Sequence, residues 1–410
     1  MKNRDVLLVL NAGPSTLKFS VYQAGAGDWS LSARGQIDGL GMSPQFSARD
    51  EEGGRLAVPR LTDSVRDHSS ALEALASWLP VRCPGAQVRG VGHRVVHGGS
   101  IFGAPVVVTH PVVEQLRRLV PLAPLHQPYN LAGIDAVARR MPGVPQVACF
   151  DTAFHRGRRD VVDIVPLPLE IRRVGVQRYG FHGLSYEYIA SVLPRLAPDI
   201  AAKRVIISHL GSAASLCALN NGRSVDSSFG FTALDGLCMG TSPGALDPGI
   251  VLFMVQSLGL SPKEVETVLY QRSGLLGLSG ITSDMRDLLA SPYPAARVAV
   301  EYFVYRAAKE IGALATVLQG IDALVFTAGI GEHSTVIRAR ICQAFSWLGV
   351  VLDPAANAQH DLRISTDDSR VAVLVIPTNE DLMIARHTGA LLNLDGVADT
   401  SSTVVRPHER

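Results

Sequence analysis

Val6-Leu7-Leu8-Val9-Leu10-Asn11-Ala12-Gly13-Pro14-Ser15-Thr16-Leu17-Lys18-Phe19-Ser20-Val21-Tyr22 reads as two strands joined by a glycine turn. Residues 6–10 form an unbroken apolar run, as in a buried strand, and residues 17–22 alternate at period two. The pattern returns later. Residues 205–208 are apolar, His209-Leu210-Gly211-Ser212-Ala213-Ala214 is the turn, and residues 215–219 are the second strand. Asn221-Gly222 then closes a hairpin into residues 223–226. A third strand, residues 323–326, runs into Thr327-Ala328-Gly329-Ile330-Gly331, followed here by a helix over residues 335–347.

Outward from these turns, residues 146–150 and 371–376 read as further buried strands. Helices are predicted over residues 71–79, 112–119, 131–140, 186–193, 249–258, 263–271, 295–319 and 380–391. Pro194 marks a stop after Leu193, and Pro262 suits a first helical turn. Alternating strands and helices define an α/β class. The agreement between residues 6–22 and 205–219 suggests two related halves. The tail after Asp395 is polar and expected to fray.

The chain has 410 residues, 47% hydrophobic and 18% charged, enough for two or more domains with their own cores. A formal net charge of +1 supplies no basic excess for nucleic acid or an anionic membrane. Cys83, Cys149, Cys217, Cys238 and Cys342 are scattered and form no C-x-x-C pair, so reduced thiols in a cytoplasm are expected. Lys2 and Arg4 precede an apolar run too short for a signal peptide or a spanning helix.

Glycine turns after strands let backbone N–H groups approach an anion, although each is also a plain tight turn. Neither a P-loop nor a Rossmann G-x-G-x-x-G pattern is present. Lys18 lies just beyond the first turn. Its neighbours Leu17 and Phe19 should face the other way, leaving it to reach either solvent or an anion at the turn. Gly92-His93-Arg94-Val95-Val96-His97-Gly98-Gly99 sets an arginine in an apolar segment. A buried arginine needs an anionic partner, either a structural carboxylate or a substrate. Asp151 ends the strand over residues 146–150, where ligands tend to gather, and can equally cap a helix. His182 sits in Tyr179-Gly180-Phe181-His182-Gly183, bracketed by aromatics and glycines. Ser283-Asp284-Met285-Arg286 is either an exposed helix-start ion pair or a ligand contact. In Thr378-Asn379-Glu380-Asp381 the acids suit a helix start, and such a carboxylate can also hold Mg²⁺ through water.

Taken together, nine segments in this order and spacing resemble the acetate kinase family, from about Val6 to Leu392. They are Asn11–Phe19, Gly92–Gly99, Phe150–His155, Tyr179–Gly183, His209–Ser215, Met239–Ile250, Ser279–Arg286, Phe326–Ser334 and Thr378–Asp381. The resemblance implies two duplicated ribonuclease H-like domains of the actin and sugar-kinase type, with a nucleotide cleft between them. It places residues 1–150 plus 384–410 in an N-terminal domain and residues 151–383 in a C-terminal nucleotide-binding domain. It implies reversible phosphorylation of acetate by ATP, with Mg²⁺ (or Mn²⁺ as a substitute), in a cytoplasmic homodimer without nucleic-acid or membrane partners. Carried over by position, Asn11 and Glu380 organise the metal. Lys18 lies near the phosphates, and Arg94 binds the carboxylate or the transferring phosphoryl. Asp151 and His182 are catalytic, and Val96, Leu125 and Phe181 form the methyl pocket. His209, Leu210, Gly211, Ser212, Ala213, Asp284, Met285, Arg286, Gly329, Ile330, Gly331, Glu332 and His333 face the nucleotide.

The chemistry agrees with that inventory. A small carboxylic acid has a pKa of roughly 4, so the nucleophile is already ionised near neutral pH. The difficulty is repulsion between two anions, which cations and preorganised donors relieve.

The chain also departs from the family pattern. Ser242 stands where the family has arginine, and serine supplies neither its charge nor its forked donors. Ser212-Ala213 replaces Asn-Gly, which would strain Ala213 if its φ were positive. Pro14 replaces serine, His333 replaces asparagine, and Ala233 replaces a proline of the substrate pocket. Three readings follow: an acetate kinase, a kinase for propionate or another short-chain acid, or a nucleotide-binding homologue with weakened catalysis.

Overall fold

A computed structural model of the chain describes residues 5–25 and 27–394. Lys2, Arg4 and the tail from Asp395 lie outside the described residues. The chain divides into two compact units, one running to Ala153 and resuming at Glu380, the other Phe154–Asn379. These boundaries fall a few residues from those expected at 150/151 and 383/384. Asp151 and Glu380 fall in the first unit, where Arg94 engages both side chains.

The first unit is built on seven strands: β1 (Asp5–Ala12), β2 (Thr16–Ala24), β3 (Trp29–Asp38), β4 (Gln45–Arg49), β5 (Gln87–Val95), β6 (Val106–Val107) and β7 (Gln146–Phe150). They lie in the order β4-β3-β2-β1-β5-β7-β6. β1 pairs antiparallel with β2, and β2 with β3, while β5 runs parallel to β1 and β7 parallel to β5. The second unit has β8 (Arg204–Leu210), β9 (Ala214–Asn220), β10 (Arg223–Ser227), β11 (Ala323–Thr327) and β12 (Ala372–Val375), ordered β10-β9-β8-β11-β12. Its pairings are again two antiparallel followed by two parallel. Without β4 and β6, both sheets read third-second-first-fourth-fifth. The echo between residues 6–22 and 205–219 is therefore one topology used twice.

One face of the first sheet sends Val6, Leu8, Leu10, Leu17, Phe19 and Val21 into a core with Leu72, Leu75 and Leu79 of helix His68–Arg82 and Val137 of helix Gln127–Arg140. Asp67 caps the first of these helices by accepting the Ser70 N–H at 2.8 Å. The helix Glu380–Leu391 packs against β1, β5 and β7. Its approach needs glycine on β5: a Cβ at Gly92 would lie 2.4 Å from Thr388 Oγ1 and 2.5 Å from Ile384 Cγ2.

In the second unit, Tyr186, Ile189 and Val192 of helix Gly183–Leu196 pack on Val205, Ile207, Cys217 and Val325. Pro194 lies inside that helix and does not end it at Leu193. In the last turn a missing N–H removes a single bond, and Ala197 N still closes on Leu193 O. The helix expected over residues 335–347 stops at Gln343, and a 3₁₀ turn, Ser346–Leu348, leads to Gly349 at φ +86°. Asn221 and Gly222 both take positive φ, as the hairpin turn requires. Strands β3, β4 and β5 are elements that the periodicity reading did not assign. No helix among the described residues is long and apolar enough to cross a membrane.

Candidate functional site

In the first unit, parallel strands β5 and β7 end side by side, with Arg94 opposite Cys149 and Val95 opposite Phe150. Arg94 Nε donates to Asp151 Oδ1 at 3.0 Å and Nη2 donates to Oδ2 at 2.8 Å. Nη1 lies 3.4 Å from Glu380 Oε2. The Asp151 side chain is 3% exposed and that of Arg94 20%. Burial opposes the guanidinium charge, but Asp151 and Glu380 outweigh it and hold Arg94 above its usual pKa. Burial also raises the Glu380 carboxyl. Asp151 and Asp381 push the same way, against Arg94 and Lys18. Three carboxylates thus share two cations.

The first turn meets this cluster. Lys18 lies opposite Asn11 and is exposed, while Leu17 and Phe19 are buried on the other side. Asn130 joins two backbones, donating to Ala12 O and accepting from Val96 N, each at 3.0 Å. His68 Nε2 donates to Gly13 O at 2.9 Å. Val96 is half-buried after β5, and Leu125 is half-buried ahead of helix Gln127–Arg140.

The charge arrangement suits a hard divalent cation. Mg²⁺ takes one or two carboxylates and completes its shell with water and phosphate oxygens. It therefore does not need a cluster of three protein acids or histidines, and none is present among the described residues. Glu380, with its excess of nearby negative charge, fits such an ion.

In the second unit, His182 takes φ +56° as the residue before helix Gly183–Leu196. Its Nδ1 lies 2.8 Å from Ser215 Oγ, which also contacts the Tyr186 hydroxyl. The His182 ring stacks on His209 with centroids 4.1 Å apart, and meets Phe229 edge-on. Phe181 is buried edge-on against Phe229. His209 Nδ1 continues at 2.8 Å to Ser185 Oγ, and Ser185 at 2.8 Å to Thr378 Oγ1. The backbone N–H groups of Thr378 and Ala328 both donate to Glu332 Oε1, at 3.1 and 2.7 Å. His209 at the end of β8 and the helix Ala328–His333, which follows β11 where a glycine turn was expected, are thereby linked by hydrogen bonds, and the stack on His209 joins His182 to them.

Leu210 is buried, and Gly211 N donates to Ala213 O at 3.1 Å. Ser212 and Ala213 are exposed. Ala213 is absent from the positive-φ residues, so the strain expected there does not arise. Ser212 O accepts from Gly240 N at 2.9 Å, connecting this turn to Met239-Gly240-Thr241-Ser242. That segment is itself a tight turn, closed by Met239 N to Ser242 O at 2.9 Å, with Ser242 buried. Gly329 and His333 are exposed, Ile330 is half-buried and Gly331 is buried. Asp284 caps helix Met285–Ala290 and grips Arg286, whose Nη2 lies 2.6 Å from Oδ2. Met285 is buried below them. The helix-start ion pair is thus what the structure contains at this position.

Composition and spacing did not single out Ser20, Asn130, Ser185, Ser215 or Arg338. Arg338 is fully buried. It donates to Gly331 O at 2.9 Å, to Glu332 O at 2.7 Å, and to Asn357 Oδ1 and O at 2.8 and 2.9 Å. No carboxylate pairs with it among the described residues. A readable signal did exist, because Arg338 stands on the apolar face of its helix with Ile337 and Ile341.

Two sheets of one topology, glycine turns after strands and paired charged clusters define a two-domain α/β phosphotransferase of the actin and sugar-kinase type. A model described as the acetokinase family matches residues 6–386. An acetate kinase of Nitrobacter hamburgensis is 52% identical over 408 residues, covering 99% of each chain. One from Rhizobium meliloti is 49% identical over 391 residues, 95% of this chain and 99% of its own. Among solved structures, Porphyromonas gingivalis acetate kinase superposes with a TM-score of 0.85 at 34% identity, covering 95% of this chain and 100% of its own. A propionate kinase from Francisella tularensis gives 0.87 at 32%, covering 94% and 99%. The chain belongs to the acetokinase family.

Proposed function

We propose that the chain reversibly transfers the γ-phosphoryl group of ATP to acetate, giving ADP and acetyl phosphate by direct in-line displacement. An acetate oxygen bonds to the γ-phosphorus as the bond to the ADP oxygen breaks. The observation that carries this reading is Arg94, held as a fixed cation by Asp151 and Glu380 beside exposed Lys18. Such a site offsets repulsion between a carboxylate and a phosphoryl group, and needs no general base.

In this reading Arg94 binds the carboxylate or the transferring phosphoryl, and Lys18 lies near the phosphates. Asp151 orients Arg94 and the groups around it. Val96, Leu125 and Phe181 line the methyl pocket. His182 donates to the transferring phosphoryl, aligned by Ser215 and by its stack on His209. Residues 209–213 and 329–333, with Asp284, Met285 and Arg286, carry the nucleotide. Glu380 and Asn11 hold Mg²⁺, which supplies charge neutralisation of the phosphates when bound.

Homodimer formation is supported by the exposed apolar side chains Ile250, Leu252 and Phe253 on helix Pro248–Gln256. A cytoplasmic setting accords with Cys83, Cys149, Cys217, Cys238 and Cys342, all of them buried. Ala233 and the likeness to a propionate kinase favour a second reading in which propionate competes. Acyl phosphate formation, trapped as hydroxamate, tests both. Turnover with acetate supports the first. Nucleotide binding without turnover on any short-chain acid overturns both, and a higher kcat/KM for propionate selects the second.

A further inference from the structure

The outer part of the first sheet carries a row of charge that the proposed reaction does not use. Register places Ser20 opposite Arg34, Arg34 opposite Arg49, and Arg49 in a bridge with Arg55. Residues directly opposite share a face, so the three arginines leave neighbouring backbones on one face, at a strand spacing of about 5 Å. Like charges in that relation destabilise a sheet. None of the three forms an ion pair among the described residues, and Arg49 donates only to Gly53 O, at 2.8 Å. The acidic turn between β4 and Arg55, Asp50-Glu51-Glu52, forms no ion pair with them among the described residues, and Asp50 Oδ1 accepts from Gly54 N at 2.7 Å. Charged side chains do discourage an edge strand from pairing with another chain, but a single lysine does that.

The three arginines line a cavity of about 610 Å³ with Lys18, Gln36 and Ser47. That volume is of the size that holds small ligands. At its inner end Ser20 Oγ donates to Asp381 Oδ2 at 2.6 Å. Asp381 begins the helix that carries Glu380, which gives the cavity a direct mechanical link to the cluster around Arg94.

We propose that this cavity is a second anion site, binding a small polyanion with two or more phosphoryl groups on Arg34, Arg49 and Arg55, none of which the proposed reaction uses, with Lys18 the one cation on its lining that the two sites share. Guanidinium forks match phosphate oxygens two at a time, and one bridging polyanion relieves the repulsion along the whole row. Occupancy adds negative charge beside Asp381 and so acts on the Glu380 end of the helix.

Isothermal titration of the full chain with inorganic tripolyphosphate tests this without turnover, so its outcome is independent of the proposed reaction. The titration is run with and without a saturating non-hydrolysable ATP analogue. The expected result is saturable one-to-one binding that survives the analogue and weakens ten-fold or more in Arg34→Gln/Arg49→Gln. Arg55→Gln alone, expected to weaken binding by a smaller factor, serves if the double variant does not fold. Absence of saturable binding, loss of binding when the analogue is present, or unchanged affinity in a folded variant overturns the proposal.

Discussion

Arg94 holds Asp151 by two near-parallel hydrogen bonds, Nε to Oδ1 at 3.0 Å and Nη2 to Oδ2 at 2.8 Å. The pair spans the ends of two parallel strands, so the backbone of β5 and β7 sets its geometry. A forked grip of this kind fixes the plane of the guanidinium and leaves its other N–H groups in defined directions.

Removing the arginine leaves the Asp151 carboxyl buried and without its main partner. Breaking a buried pair from one side typically costs about 3–5 kcal/mol. Arg94→Ala is therefore expected to unfold at lower urea than Asp151→Ala/Arg94→Ala, with a coupling of about 1 kcal/mol or more in a double-mutant cycle. Its kcat/KM for acetate should fall by about 10² or more. Additive stability effects would show that the pair is not coupled.

Ser242 occupies a buried turn position where the family pattern has an arginine. Loss of one preorganised donor to a developing charge costs about 10²–10³ in rate. Ser242→Arg is expected to raise kcat by a large part of that factor, with little change in KM for ATP. Steady-state hydroxamate kinetics on both proteins decide it. An unchanged or lower kcat in a folded variant would mean that the chain supplies the donor from elsewhere.

Acid should destabilise the chain through two buried histidines. His93 donates from Nε2 to Gln146 Oε1 at 2.7 Å, and His155 from Nε2 to Phe181 O at 2.9 Å. Burial holds His93 down to about 4, and burial with Arg158 holds His155 down to about 3. The unfolded imidazoles take protons near pH 6.5, whereas the folded ones refuse them. Stability is thus fully present above about pH 6.5 and falls as pH drops toward 4, by about 1.4 kcal/mol per pH unit for each histidine. Melting temperature measured from pH 7.5 to 4.5 should show this slope, and His93→Gln should flatten it.

Arg338 satisfies the carbonyls of Gly331, Glu332 and Asn357 from a fully buried position. Arg338→Ala takes a donor from each, a penalty of about 1–3 kcal/mol where no other donor remains, while Glu332 O and Asn357 O keep their contacts with His360 Nδ1 and N. Lysine has one donor centre in place of a fork, so Arg338→Lys should recover only part of the loss. Denaturant midpoints test the order wild type, lysine, alanine. If residues 329–333 carry the nucleotide, KM for ATP should rise more than kcat falls in Arg338→Lys.

The strand-turn-strand units at residues 6–22 and 205–219 were legible because buried strands leave unbroken apolar runs and their turns need glycine. Asn11, Lys18, Arg94, Asp151 and Glu380 stood out as polar residues at strand ends, and the structure brings Arg94, Asp151 and Glu380 into direct contact. Strand β3 was not assigned: Trp29, Ala33 and Ile37 bury one side of it, but polar and small residues between them blur the alternation. The helix expected to end at Leu193 runs on to Leu196, because the rule for residues before proline describes a tendency and a final helical turn tolerates one missing N–H. Serines such as Ser185 and Ser215 carry no periodic signal. Their place in the chain from His182 to Glu332 depends on contacts between residues far apart in sequence.

Because helix Glu380–Leu391 packs against β1, β5 and β7, the first unit borrows its last layer from the far end of the chain. The ribosome finishes the whole of Phe154–Asn379 before it makes that layer. Until then the glycine-lined surface of β5, at Gly90 and Gly92, has nothing to close on it, although the opposite face can already gather its core. A chain cut short before residue 380 would therefore be left with an open sheet face and without Glu380, whereas the intervening unit has every strand it needs. Synthesis order thus makes the acid facing Arg94 arrive only after the whole of the second unit has been made, and ties the completion of that cluster to it.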